Sequence, residues 1–364
     1  MSRVSHTKRL LIVKLSSLGD VVHALPTLCA LRRSFPSARI CWLVGPKGWE
    51  VVAGHPCLDR AYVLGAQGGP IRGLDDEKAR FVPSFPRMAW ALRRERFDIA
   101  LDLQGLLKSA VPCWLSGARL RIGSGKAREG SRLFYNLRVA PARGHSHAVQ
   151  RCLKLALPLG VREEPLEFRL RASEESRAWA DKFLAVRRPA DEEGNLVALS
   201  PGSSKPEKCW PVEGFARLAQ ALSTEGARLV VVGSAREKRL EDSLAGGVAK
   251  PPTTLSSASG EGKGGCELIR AVGQTTVAQL VALLERCVLF VGNDSGPLHI
   301  AAALGIPCLA FYGPSSPRLT GPYGEQHVVL TPPAGTQDMN LISLSQAQAA
   351  CIELFQRARR KVRA

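Results

Sequence analysis

The sequence predicts an α/β protein of two Rossmann-like halves, each a parallel sheet wound with helices on both faces. Three observations predict it. Short apolar runs alternate with helix-period segments about six times through the first half, the pattern of a doubly wound parallel sheet. A charge-rich stretch at residues 185–195 (AVRRPADEEGN) then interrupts the chain, and the alternation restarts at residue 196. Residues 288–313 (VLFVGNDSGPLHIAAALGIPCLAFYG) read as one strand–turn–helix–strand unit, the building block of parallel sheets. With 364 residues the chain suits two domains, expected at 1–185 and 186–344, with a C-terminal helix at 345–364.

Each element has a local cause. Residues 9–15 (RLLIVKL) form a buried-type strand, 16–20 (SSLGD) a loop, and 21–33 a helix with Val21, Leu25, Leu28 and Leu31 on one stripe. Gly19 supplies the sharp turn, and Asp20 lands at the helix start. Residues 39–44 are the second strand, 47–53 a short helix and 61–64 the third strand. Residues 65–83, rich in Gly, Pro and charge, read as a surface loop. A basic helix at 84–96, a strand at 99–103 and a helix at 106–115 follow. Residues 119–122 form a strand, 123–130 a polar loop with Lys126 and Arg128, and 146–157 a helix.

In the second half, 196–200 is a strand, 201–208 a loop, and 211–224 a helix opened by Pro211, a residue suited to the first helical turn. A strand at 228–233, a helix at 236–244, a low-complexity Gly/Ser/Pro/Lys insertion at 246–265 and a helix at 276–286 come next. Residues 288–291 are a strand, 292–296 a turn, and 299–304 a helix that Gly305 stops and Pro307 bars from continuing. Residues 308–312 are the last predicted strand. An amphipathic helix at 345–360, with Ser345 as N-cap, runs into the basic segment RARRKVR at 357–363.

Composition narrows the function. The net charge of +18 favours anionic partners: nucleotides, phosphorylated glycolipids, an anionic membrane face or nucleic acid. Aromatic content of 6%, without basic–aromatic interleaving, weighs against nucleic acid. No apolar stretch approaches the roughly 20 residues that span a bilayer, and the polar start, Met1–Lys8, carries no signal; a cytoplasmic protein is expected. The ten cysteines make no C-x-x-C pair, and Cys41, Cys287 and Cys308 sit in apolar runs as small core residues. No metal is expected: the loop pair His145-x-His147 could ligate one, but a loop pair of histidines is far more often not a ligand. G-x-G-x-x-G occurs only within the low-complexity insertion, at Gly260, Gly262 and Gly265, rather than between a predicted strand and a helix, and G-x-x-x-x-G-K-[ST] is absent, which argues against a nicotinamide dehydrogenase and a P-loop NTPase.

Two turns carry candidate chemistry. Backbone N–H groups at the helix start after Asp294-Ser295-Gly296, with Ser295 and Gly296 allowing close approach, could cradle a diphosphate; the same residues could equally be an N-cap and tight turn. Asp20 lies at the C-terminal edge of the first strand, where open α/β sheets place ligands, or serves only as a helix cap.

Several motifs together resemble the lipopolysaccharide heptosyltransferases, glycosyltransferase family 9. They are Lys14-Leu-Ser-Ser-Leu-Gly-Asp20-Val-Val-His-Ala-Leu-Pro26, Asp102-Leu-Gln-Gly-Leu-Leu-Lys-Ser109, Ala127-Arg-Glu129 with Leu133-Phe-Tyr-Asn136, Lys208-Cys-Trp-Pro211 and Asn293-Asp-Ser-Gly-Pro-Leu-His299. The second and third resemble type I members rather than type II. The likeness runs over residues 9–330, apart from 65–83 and 246–265. It implies a GT-B fold, two Rossmann-like domains facing across a cleft. It implies inverting, metal-independent transfer of L-glycero-D-manno-heptose from ADP-heptose to a Kdo residue on lipid A, with no cofactor.

By position in these motifs, the resemblance makes Asp20 the general base and Lys208 the cation on the departing diphosphate. Ser203 and Ser204 would lie near the phosphates, with N–H groups from Ser295 and Gly296; Pro297, where the family often has Leu, cannot donate. Asp294 would meet heptose hydroxyls and His299 the phosphate side. Glu237 would bind ribose and Thr275 adjoin adenine. Lys108 and Arg128 would grip the anionic acceptor. The expected partners are ADP-heptose, Kdo–lipid A and the anionic cytoplasmic face of the inner membrane, with no nucleic acid. Three rivals remain: a nucleotide-sugar epimerase of the same fold, a related family 9 transferase with a different acceptor, and a non-catalytic binder of anionic partners.

Overall fold

The computed structural model describes residues 9–65, 79–141, 146–186, 195–249 and 268–363. The chain divides into two compact units, Met1–Leu170 and Arg171–Ala364.

The first unit runs β1 (Arg9–Val13), α1 (Leu18–Ser34), β2 (Arg39–Val44), α2 (Trp49–Val52), β3 (Arg60–Leu64), β4 (Ala79–Val82), α3 (Phe85–Glu95), β5 (Ile99–Asp102), α4 (Leu107–Leu115), β6 (Leu120–Ser124), β7 (Leu137–Val139) and α5 (Ala148–Ala156). Its seven strands lie in the order β4-β3-β2-β1-β5-β6-β7, and every pair is parallel. β1 pairs with both β2 and β5 and is apolar after Arg9, as a strand covered on both faces must be. The chain first winds outward from β1 to β4, then crosses to β5 and winds the other way. The switch point therefore lies between β1 and β5.

The second unit runs α6 (Glu174–Ala185), β8 (Leu196–Ser200), α7 (Val212–Thr224), β9 (Arg228–Val231), α8 (Lys238–Ala249), β10 (Leu268–Arg270), α9 (Val277–Leu284), β11 (Leu289–Asn293), α10 (Gly296–Ala303), β12 (Cys308–Phe311), α11 (Pro317–Thr320), β13 (Val328–Leu330) and α12 (Leu344–Arg363). Its strand order is β10-β9-β8-β11-β12-β13, again all parallel. The switch point lies between β8 and β11. Trp210 stacks on Phe311 with ring centroids 4.3 Å apart, and Phe215 meets both edge-on. This aromatic group lies in the same core as Leu289, Val291 and Phe355.

Several elements differ from the sequence expectation. β4 lies inside the expected loop 65–83, of which 66–78 is outside the described residues. β7, β10 and β13 have three residues each, too few for a period-2 signal. α6 was not expected. It packs on α9, and the Arg177 guanidinium grips Glu285 through two bonds of 2.8 and 3.1 Å. The segment 171–185, expected in the first domain, thus belongs to the second unit. Of the expected linker, 187–194 lies outside the described residues. α12 packs on α7, β11 and β12, so the terminal helix is built into the second unit. It starts at Leu344, one residue before the expected cap Ser345. Near its basic end, Arg359 donates to the Glu225 carbonyl at 3.0 Å and lies over the Phe355 ring. Residues 246–249 continue α8, and the rest of the 246–265 insertion lies outside the described residues.

Candidate functional site

Each unit gathers its candidate residues beyond the C-terminal ends of its strands, beside its switch point, where open α/β sheets bind ligands.

In the first unit, the loops after β1 and β5 are tied together. Gln104 Oε1 accepts from the Leu15 and Ser16 N–H groups at 2.8 and 3.3 Å. Buried Lys14 donates from Nζ to the Leu103 carbonyl at 3.0 Å and stands 3.8 Å from Asp20 Oδ1. Asp20 is the third residue of α1; its Oδ2 accepts from Ser17 N at 2.9 Å and Ser17 Oγ at 2.8 Å. Asp20 therefore closes a capping box with the N-cap Ser17, the capping role its position allowed, while its side chain stays 44% exposed beside a buried cation. Lys108 reaches the same loop, donating to Ser16 Oγ at 3.1 Å. Arg128 is exposed, and its backbone N–H donates to the Gly105 carbonyl at 3.0 Å, which holds its loop against that after β5. Glu129 Oε2 accepts from Leu107 N at 3.0 Å, at the start of α4.

Asp102 anchors this end of the sheet. It is fully buried and accepts from Gln104 N, Gly105 N, Ser109 Oγ and Tyr135 Oη at 2.6–3.1 Å. Burial pushes its carboxyl up, against the pull of these four bonds. The Tyr135 hydroxyl is itself pushed up, by burial and then by the Asp102 charge.

In the second unit, Asp294 follows β11 directly and is almost fully buried. Its Oδ2 accepts from Lys208 Nζ and Ser315 Oγ, each at 2.6 Å, and its Oδ1 lies 3.4 Å from His299 Nε2. Burial acts to raise this carboxyl, but the bonds from His299, Lys208 and Ser315 outweigh it and hold it well below the usual carboxylate range. The neighbouring Asn293 braces the turn, donating to the Pro201 carbonyl at 2.7 Å and accepting from Trp210 N at 3.0 Å. Ser203 Oγ donates to the Asp294 carbonyl at 2.8 Å, while Ser204 is exposed. Ser295 is the N-cap of α10 and Gly296 its first residue. The Ser295 hydroxyl oxygen is buried with no hydrogen-bond partner among the described residues.

Glu237 lies after β9. Its Oε2 accepts from Ser234 N at 2.5 Å, and its carboxylate lies so close to Gly202 and Gly233 that a Cβ at either would collide with it. Thr275 lies after β10 in a loop joined to that after β9 through Gly273 N and the Gly233 carbonyl at 2.9 Å. Thr275, Glu237, the 203–208 loop and the 294–299 turn thus follow β10, β9, β8 and β11, four strands adjacent in the sheet.

Sequence reasoning missed Ser315, Gln104 and the bracing role of Asn293. It also missed Lys14 as a site residue, although a lysine interrupting a buried strand was a visible signal. Of the histidine pair, His147 caps α5, accepting from Val149 N at 3.2 Å, and meets the His23 ring edge-on; His145 lies outside the described residues. Cys29, His55 and Cys57 bring three possible ligand atoms within 4.8 Å of one another. Both His55 ring nitrogens are engaged, however, by Cys57 N at 3.2 Å and the Phe168 carbonyl at 2.8 Å, as in a packed, neutral histidine.

Residues 86–340 match the family description "Glycosyltransferase family 9 (heptosyltransferase)". Lipopolysaccharide heptosyltransferase 2 of Escherichia coli is 31% identical over 333 residues, 88% of this chain and 87% of its own. Lipopolysaccharide heptosyltransferase 1 of the same organism is 28% identical over 346 residues, 93% of this chain and 96% of its own. These two values do not separate type I from type II. The solved structure of the E. coli heptosyltransferase WaaC with ADP aligns at a TM-score of 0.70 and 25% identity, covering 95% of this chain and 99% of that one. The two parallel-sheet units and these likenesses agree: the chain belongs to glycosyltransferase family 9, the heptosyltransferases, and has their GT-B class of fold.

Proposed function

We propose that this protein transfers L-glycero-D-manno-heptose from ADP-heptose to a Kdo residue of lipid A, inverting the anomeric carbon and using no metal ion. The observation that carries the reading is the row of candidate donor residues along four adjacent strands of the second sheet. An extended nucleotide sugar needs such a row. Thr275 would adjoin adenine, Glu237 the ribose hydroxyls, and Ser203, Ser204, Lys208 and the first N–H groups of α10 the diphosphate. The two Escherichia coli relatives carry heptosyl transfer to lipopolysaccharide in their names, and the aligned WaaC structure holds ADP.

The reaction is one displacement. The acceptor oxygen attacks C1 of the heptose on the face opposite the phosphate. The C1–O bond to phosphate breaks, and ADP leaves with its electron pair. Asp20 takes the acceptor hydroxyl's proton, a contribution of about 10²–10⁴-fold for a well-placed base. Lys208 and the α10 N–H groups meet the charge that grows on ADP. Asp294, with both oxygens already accepting, holds Lys208 and His299 in place. Lys108 and Arg128 meet the anionic acceptor, as cations suited to carboxylate and phosphate. Its acceptor being lipid-borne, the protein works at the cytoplasmic face of the inner membrane.

Incubation with ADP-heptose and Kdo₂-lipid A tests this. The lipid should gain one heptosyl unit, and ADP should appear only when acceptor is present. Conversion of the donor alone would favour an epimerase. No donor consumption together with salt-sensitive DNA binding would favour the non-catalytic alternative.

A further inference from the structure

We propose that the outward stripe of α4, together with the adjoining turn Ser131–Phe134, docks the first unit on an anionic lipid bilayer. α4 is amphipathic in an unusual sense. Ser109, Ala110, Pro112 and Cys113 face the core, while Leu107, Val111 and Trp114, spaced i, i+4, i+7, form one stripe on the other side. Leu107 is 42% and Trp114 48% exposed. The stripe continues onto the turn. Phe134 meets Trp114 edge-on at 6.1 Å, and Leu133 stands 81% exposed. Large apolar side chains gathered in solvent mark a surface with a partner, and a tryptophan beside leucines suits the headgroup–acyl boundary.

Charge selects the partner. Residues 79–139 hold 12 Lys or Arg against 4 Asp or Glu, and the four acids are engaged. Glu95 accepts from Tyr62 Oη and Arg9, Asp98 from Arg9 N and Glu129 from Leu107 N, while Asp102 is buried. Lys108, Arg119, Lys126, Arg128, Arg132 and Arg138 are exposed. An anionic bilayer complements such a surface, whereas a second copy of this chain would set like charge against like. Lys108 lies on the same helix as the stripe and contacts the Asp20 loop, so a lipid-borne acceptor would be met where it is bound. In this respect the proposal rests on the transfer reading above.

The test is co-sedimentation with vesicles of phosphatidylglycerol and phosphatidylethanolamine, against vesicles of phosphatidylcholine alone. The full-length protein should bind the anionic vesicles, less so as salt rises, and the neutral ones weakly. Trp114→Ser with Leu133→Ser should lower that binding on the order of tenfold, with Tm lowered by no more than a few °C because Leu133 stands in solvent and Trp114 is only half-buried. The double variant should lose transfer to vesicle-embedded acceptor by a similar factor and keep wild-type kcat/KM on a deacylated, water-soluble acceptor. Wild-type vesicle binding by the variant overturns the proposal. So does equal binding to both vesicle types, or a wild-type dimer that the variant dissociates. Docking through these residues without transfer to either acceptor upholds the surface and overturns the transferase reading instead.

Discussion

Replacing Asp294 by Asn tests the electrostatic centre of the second unit. The carboxylate accepts two 2.6 Å bonds, from Lys208 and Ser315, and lies 3.4 Å from His299. Asparagine keeps one acceptor oxygen, for Lys208 and Ser315, and turns its NH₂ toward His299 Nε2. One charge-assisted bond is lost and two donors are left facing each other, a cost of about 3 kcal/mol. For a folded body of this size, each kcal/mol moves Tm by about 2–4 °C, so the loss at pH 7 is about 6–12 °C. The pH dependence has a definite sign. A carboxyl whose native pKa is depressed contributes its stability fully above its unfolded value of about 3.9, and loses it as pH falls toward the native value. The gap between wild type and Asp294→Asn should therefore be full at pH 7 and narrow at pH 3. Thermal unfolding followed by circular dichroism at the two pH values measures it. An unchanged Tm at pH 7, or a gap that does not shrink in acid, would refute the reasoning.

Other substitutions probe separate parts. Asp102→Asn faces four donors with one acceptor oxygen and a donor amide, so it should destabilise the protein by about 2–4 kcal/mol, read as a fall in the urea midpoint; a neutral effect would show that Tyr135 and Ser109 do not depend on the charge. Gly202→Ala puts a methyl into the Glu237 carboxylate and should raise the donor KM roughly tenfold while kcat stays within about twofold; an unchanged KM would remove Glu237 from the donor site.

The fold was legible because its signals are periodic. β1, β5, β8 and β11 are central strands, apolar along most of their length, the helix α7 carries a clear stripe, and α1 is apolar and buried along almost its whole middle, Val21–Leu31. What stayed hidden lies where pattern is short or pairing is distant. β7, β10 and β13 span three residues each. α6 is held by Arg177 on Glu285, a bond across 108 residues that no local window reveals, and so the unit boundary moved to 170/171. The site divides the same way. Asp20, Lys208 and Asp294 stood in recognisable motifs, whereas Ser315 comes to Asp294 from a loop with no signature of its own. Gln104 also stood in a motif, but its bonds to the Leu15 and Ser16 N–H groups depend on β1 and β5 being neighbours.

The proposed role of Asp20 as the base is most directly tested by Asp20→Asn assayed for ADP release in the presence of Kdo₂-lipid A, with ADP-heptose affinity measured alongside by calorimetry. The account predicts a kcat lowered by about 10²-fold or more with donor Kd within about twofold of wild type. Wild-type kcat, or a loss of donor binding that explains the whole defect, would contradict it.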